Sequence, residues 1–143
     1  MKTIALRTAA GRFIAHEVRI AYSLAARLLA LSREQSLPTR AGLLLSPARG
    51  IHTFGMRFAI DVVFLGRQMR VLGLASRVRP WRVLLAPRGT AHVLELAAGQ
   101  IAATGLKAGT FLVVESNQPE CQRPPITFSL RLPLHHEDRK PAQ

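Results

Sequence analysis

The segment of residues 58–65 constrains the fold more than any other, because it is apolar throughout except for one acid, Asp61. A continuous apolar run that is rich in β-branched residues and ends at a turn signal is typical of a buried strand. Residues 66–68 can turn the chain back into a second run over residues 69–74. The sequence therefore predicts a buried hairpin with a carboxylate set into its first strand.

Further strands are predicted where apolar residues alternate or cluster between turn residues. They cover residues 3–6, 13–22, 41–45, 92–96, 110–115 and 126–132. One short helix is predicted over residues 23–31, capped by Ser23, and another over residues 97–104, ending at Gly105. These elements predict an α+β fold, a compact and mainly antiparallel β domain that resembles a small barrel or sandwich and carries two short helices.

The size of the chain limits it to one core, since 143 residues with 48% hydrophobic content cannot support two. We therefore expect a single domain over residues 13–117. Residues 1–12 should form an N-terminal segment with a short strand, and residues 118–143 a proline-containing connector, a possible terminal strand and a disordered basic tail. Aromatic residues reach only 6%, which predicts an aliphatic core and disfavours single-stranded nucleic-acid modules, because those need exposed rings.

The formal net charge is +12 and comes mostly from arginines spread between Arg7 and Arg139. Such a surface attracts nucleic acid or acidic lipid, but it also fits a solvated surface with no selected partner. We expect at most weak, nonspecific and salt-sensitive binding to nucleic acid. Cys121 is the only cysteine, so no intrachain disulfide can form. No apolar stretch approaches the roughly 20 residues that span a bilayer, which favours a soluble, cytoplasmic protein of open oligomeric state.

Four short sequence motifs occur together in one known family. They are Ile51-His52-Thr53-Phe54-Gly55-Met56-Arg57-Phe58, Ile60-Asp61-Val62-Val63-Phe64, Arg79-Pro80-Trp81, and Val93-Leu94-Glu95-Leu96 followed by Gly99. In this order and approximate spacing, they resemble the domain-of-unknown-function 192 family over residues 18–114. The resemblance implies a compact, mainly β fold with small helices, and it shows where to look for a site without naming a reaction.

The residues of these motifs whose side chains could take part in catalysis or binding are His52, Asp61, Trp81 and Glu95. Asp61 and Glu95 each interrupt an apolar strand, and a buried carboxylate must find donors or partners. If both converged on one cleft with His52, they could perform acid and base catalysis. If they do not, fixed pairing within the fold is the simpler role. Trp81 could stack on a ligand or cover the core.

An extended strand would place His52, Phe54 and Met56 on one face, which makes His52 and Met56 candidate metal ligands. Histidine and methionine together suit a soft metal, but strong sites add a second histidine, a cysteine or another methionine. None lies nearby in sequence. We therefore expect neither a metal nor a cofactor.

Three functions remain open from the sequence. The first is a non-enzymatic accessory domain that binds a small ligand or a protein segment in a groove near His52, Asp61, Trp81 and Glu95. The second is a small hydrolase-like enzyme that uses Asp61, Glu95 and His52. The third is a weak, nonspecific RNA-binding protein that uses the arginine-rich surface.

Overall fold

The computed structural model describes residues 2–23, 26 and 35–116. Within them the chain forms nine strands and one helix. In chain order these are β1 (Thr3–Thr8), β2 (Phe13–Ala21), β3 (Ala41–Leu45), β4 (Gly50–His52), β5 (Ile60–Leu65), β6 (Val71–Val78), β7 (Val83–Leu85), β8 (His92–Ala97), α1 (Gln100–Thr104) and β9 (Leu112–Ser116).

Seven strands form one sheet in the order β6-β5-β8-β3-β2-β1-β9. All neighbours are antiparallel except β2 and β3, which run parallel. The sheet curls until its two outermost strands meet at one end. There the Val71 N–H donates to the Thr110 carbonyl at 2.8 Å, and the Leu112 N–H donates to the Met69 carbonyl at 2.9 Å. The result is a half-barrel that is partly closed at its rim.

The core lies on both faces of this sheet, because the central strands are covered on each side. Inside the curl, an inner core gathers side chains from all seven strands of the sheet and from α1, including Leu6, Val63, Leu96 and Ile101. On the other face, an outer core gathers Leu43, Val62 and Val93 with residues from the loops. Every residue of β5 is buried, which confirms the buried strand predicted from its apolar sequence.

A two-stranded sheet, formed by β4 and β7, covers the outer core. Ile51 pairs with Leu84 in its register, and both pack into the outer core. Side chains alternate along a strand, so the neighbouring pairs of this small sheet face away from the protein. The strand β7 was not predicted, because its three residues follow a proline-containing loop and bury only one side chain.

The described residues contain one helix, α1, rather than the two short helices predicted. The other predicted helix, residues 23–31, lies almost entirely outside the described residues, although the Ala26 N–H donates to the Ser23 hydroxyl at 3.1 Å. Helix α1 starts later than predicted because Gly99 has a φ of 90°, and it ends at Gly105 as predicted, with a φ of 65°. The predicted terminal strand, residues 126–132, also lies outside the described residues.

The coarse fold class is confirmed as a compact, β-rich α+β domain. The N-terminal strand β1 lies within the sheet, between β2 and β9. No helix in the described part of the chain is long and apolar enough to cross a membrane.

Candidate functional site

The Asp61 carboxylate lies inside the curled sheet and is completely buried. One of its oxygens accepts a hydrogen bond from the Arg77 backbone N–H and the other from the Ile101 backbone N–H, both at 2.8 Å. The first contact ties β5 to β6, and the second holds the first turn of α1 against the sheet. Both carboxylate oxygens are therefore occupied by the backbone of the protein.

Glu95 is also completely buried, but it lies on the opposite face of the sheet. It pairs with Val62 in the register of β5 and β8, whereas Asp61 pairs with Leu96. Val62 belongs to the outer core and Leu96 to the inner core. Because paired residues share a face, the two carboxylates point to opposite sides of one sheet, and the structure does not bring them into one cleft.

His52 and Trp81 lie together at the surface, joined by Phe54. The His52 and Phe54 rings are stacked with centroids 5.0 Å apart, and the Phe54 and Trp81 centroids are 5.7 Å apart. The Phe54 N–H also approaches the His52 Nδ1 at 3.4 Å. Met56, expected on the same face as His52 and Phe54, is instead buried in the outer core, because the chain leaves the extended conformation after His52.

Thr53 holds this aromatic group in place and was missed by sequence reasoning. It is completely buried. Its hydroxyl donates to the Arg79 carbonyl at 2.8 Å and accepts from the Arg82 N–H at 2.9 Å. Its backbone carbonyl accepts from the Trp81 N–H at 3.0 Å. One threonine therefore joins the motif around His52 to the motif around Trp81, which lie about 30 residues apart in sequence.

The outward face of the small sheet continues the aromatic group as an apolar surface. Val83 pairs with His52 and Leu85 pairs with Gly50, so both point outward. The exposed fractions of Phe54, Trp81, Val83 and Leu85 are 44%, 66%, 61% and 89%. We call these four residues the exposed strip. Single exposed apolar side chains are ordinary, but a contiguous set is typical of a surface that binds something.

A cavity of about 600 Å³ lies at one edge of the main sheet. Strands β3 and β5 are both antiparallel to β8, so the ends of β3 and β5 meet the start of β8 there. The loop after each of β3 and β5 and the loop before β8 contribute one arginine each to the cavity wall, namely Arg49, Arg67 and Arg88. We call this the arginine cavity. None of its described lining residues is acidic.

The walls of the arginine cavity are fixed by backbone contacts. The Ala91 N–H donates to the Leu65 carbonyl at 2.8 Å, and the Ala48 N–H donates to the Ala91 carbonyl at 2.9 Å. Pro87 packs directly on Gly73 of β6, where an added Cβ would lie 2.9 Å from the proline ring. Because backbone and glycine contacts set these loops, the cavity is formed before any ligand arrives.

His92 lies in the cavity wall and shares a hydrogen bond with Ser46, with 2.8 Å between the His92 Nδ1 and the Ser46 Oγ. Burial lowers the pKa of His92 below its ordinary value of 6.5. The imidazole is therefore neutral at physiological pH, and the positive charge of the cavity comes from the arginines.

The chain around the strip and the cavity carries far more positive than negative charge. Residues 49–92 contain eight arginines, no lysine and a single acid, Asp61. All eight arginines are exposed, whereas Asp61 is buried with its oxygens occupied. Sequence reasoning treated the arginines as scattered along the chain. The signal that could have located the cavity is the arginine beside a glycine or proline in three separate turns: Ala48-Arg49-Gly50, Gly66-Arg67-Gln68 and Pro87-Arg88-Gly89.

Among the described residues, no three histidine, cysteine or acidic side chains lie close enough to hold a metal ion. The fold and surface together define a small curled β domain with a basic cavity and an exposed apolar strip.

The chain belongs to the domain-of-unknown-function 192 family (DUF192, uncharacterized ACR), whose model matches residues 5–114. No curated protein matches the chain. Two solved structures share the fold. One is a Sinorhizobium meliloti 1021 protein, named provisionally as a transcription regulator, with a TM-score of 0.67 and 21% identity over 79% of this chain and 92% of that one. The other is a Novosphingobium aromaticivorans DSM 12444 protein of unknown function, with a TM-score of 0.66 and 21% identity over 78% of this chain and 83% of that one.

Proposed function

We propose that this protein is a non-enzymatic binding domain that holds a small anionic group, such as a phosphate, in the arginine cavity. The observation that carries the proposal is the convergence of three arginines, from three different loops, on one preformed cavity with no acidic residue among its described lining. Guanidinium groups stay charged at any physiological pH and bind phosphate through paired hydrogen bonds.

Binding is favoured over catalysis by the positions of the acids. The hydrolase-like alternative needs Asp61, Glu95 and His52 in one cleft, but Asp61 and Glu95 face opposite sides of the main sheet and His52 lies on the small sheet. The Ser46–His92 pair in the cavity region has no acid among the described lining residues that could orient its imidazole for nucleophilic catalysis.

The proposal is tested by isothermal titration of the full chain with inorganic pyrophosphate at low ionic strength. We expect saturable binding, and a rise in Tm with pyrophosphate concentration, because a ligand that binds only the folded state stabilises it. Arg67→Ala and Arg88→Ala should each weaken binding about tenfold, the effect of losing one hydrogen bond to a charged group.

Lys107→Ala is the matched control, because it removes one exposed positive charge that does not line the arginine cavity. It should leave pyrophosphate binding almost unchanged. An equal loss in Lys107→Ala and Arg88→Ala would show that net charge alone attracts the anion. That result, or the absence of saturable binding by the unaltered protein, would overturn the proposal.

A further inference from the structure

We infer that the exposed strip and the arginine cavity together bind single-stranded nucleic acid, with phosphates at the cavity and a base stacked on Trp81, which Phe54 supports. The inference rests on the proposed function, since it assigns the anion in the cavity to the phosphate of a polymer. It adds a second surface and a ligand class to the site.

The strip and the cavity are continuous along the small sheet. Strand β4 begins directly after Arg49 of the cavity and ends at His52, and β7 ends at Leu85, three residues before Arg88. From Trp81 to Leu85 the chain spans at most about 13 Å at roughly 3.3 Å per residue. Several bases of a stacked strand fit over this length at about 3.4 Å each. One extended ligand can therefore reach both the rings and the guanidinium groups.

The rings are held at the surface by the fold itself. Trp81 has a φ of 63°, a backbone conformation that is rare for a bulky residue, and its N–H is fixed by the Thr53 carbonyl. The structure thus keeps a large aromatic side chain 66% exposed. An exposed aromatic side chain next to arginines is a feature that single-strand binding proteins use, because every base offers a face for stacking.

The positive charge of the surface indicates which class of partner binds there. Every cation in residues 49–92 is an arginine, and arginine binds phosphate through two hydrogen bonds and also stacks on flat rings. Base faces are covered inside a duplex, so stacking on Trp81 requires a single strand. An acidic membrane would also meet arginines and apolar side chains, but a flat bilayer does not enter a concave cavity of about 600 Å³.

Trp81 is the only tryptophan in the protein, so its fluorescence reports stacking directly. The experiment titrates the full chain with a labelled 12-nucleotide poly(dT) strand at several salt concentrations and follows both label anisotropy and Trp81 fluorescence. We expect quenching of Trp81 that runs parallel to binding. Trp81→Ala should weaken binding about tenfold without changing its salt dependence.

Arg88→Ala should behave differently from Trp81→Ala. Each phosphate contact to a single strand contributes about 0.7 to the slope of log affinity against log salt, so this variant should lower the slope by about that amount. Phe54→Ala should weaken binding, whereas Phe13→Ala is the matched control. Phe13 is 40% exposed, close to the 44% of Phe54, but it lies at the start of β2, outside the strip and the cavity.

The outcomes separate this inference from the function on which it rests. Pyrophosphate binding that depends on Arg88, with no strand binding or no Trp81 quenching, would overturn the inference and leave the proposed function standing. Absence of both pyrophosphate binding and strand binding would overturn the proposed function and the inference. Binding to vesicles of anionic phospholipid that depends on Trp81, without strand binding, would replace nucleic acid by a membrane. Quenching of Trp81, together with a loss of affinity in Trp81→Ala and a smaller salt slope in Arg88→Ala, would support the inference.

Discussion

The buried carboxylate of Asp61 and the exposed strip of the small sheet use the same family motifs in opposite ways. Asp61 is completely buried, and its two oxygens accept backbone hydrogen bonds from two other elements. A few residues away in sequence, Phe54 stays 44% exposed, and Trp81 and Leu85 are exposed still further. One region directs polar atoms inward, and the other directs apolar atoms outward.

This contrast shows which residues build the fold and which are available to a ligand. A buried carboxylate survives only with donors close by, and those of Asp61 come from the protein backbone. Exposed rings gain less free energy from folding than buried ones, and their placement is consistent with the partner proposed above. The acid that stands out most in the sequence is therefore structural in its contacts, and the groups that can meet a ligand lie on the small sheet and in the turns.

The largest effect is expected from removing the Asp61 carboxylate. Asp61→Ala leaves the Arg77 and Ile101 N–H groups without their acceptors, at a cost of about 4 kcal/mol in the free energy of unfolding. The Tm should fall by about 10 °C or more, measured by calorimetry. Glu115→Ala is the control, because it breaks only the partly exposed ion pair with Arg7 and should cost less than about 1 kcal/mol. An unchanged Tm in Asp61→Ala would favour a functional carboxylate.

A smaller effect is expected from Thr53, which is completely buried and lies directly before Phe54 of the exposed strip. Thr53→Val keeps the shape but leaves the Arg79 carbonyl and the Arg82 N–H without the hydroxyl, at a cost of about 2 kcal/mol. Denaturant unfolding followed by Trp81 fluorescence measures the loss. Thr53→Ser keeps the hydroxyl and should recover most of the stability. Equal stability of the valine and serine variants would show that the hydroxyl does not join the two motifs.

The smallest effect concerns His92, the histidine in the cavity wall. Its folded pKa lies below 6.5 because of burial, so the unfolded chain binds the proton more readily, and folding stability decreases as the pH falls below about 6.5. Arg49, Arg67 and Arg88 line the same cavity. The Tm should show a small decrease from pH 7.5 to pH 5.5 that is reduced in His92→Gln but kept in His16→Gln. A pH dependence that survives His92→Gln would assign it to another group.

The strands of the main sheet could be predicted because their signals are local. The apolar run of β5, the turn at Gly66 and the glycine that ends α1 each act within a few residues, so their positions follow from the sequence. The strand β7 could not be found in this way. Its three residues form a strand only because β4, more than 30 residues earlier, offers hydrogen bonds to it.

The aromatic residues are a second case where position depends on the tertiary structure. Composition counts rings but does not show where they lie. Phe64 is buried, whereas Phe54 and Trp81 are exposed, with their ring centroids 5.7 Å apart. The 6% aromatic content does not place Phe54 and Trp81 side by side at the surface. The expectation that this content disfavours single-stranded nucleic-acid modules stays a prediction.

The sequence by itself determined the family, the β-rich class and the residues that had to be examined, since these depend on periodicity, turn residues and motif order. Tertiary structure alone decided that Asp61 and Glu95 face opposite sides of one sheet, and that three turn arginines meet at one edge. The physical reason is that strand pairing sets which residues share a face and which loops share an edge. That pairing joins segments far apart in sequence, through backbone hydrogen bonds that carry no signature of the side chains.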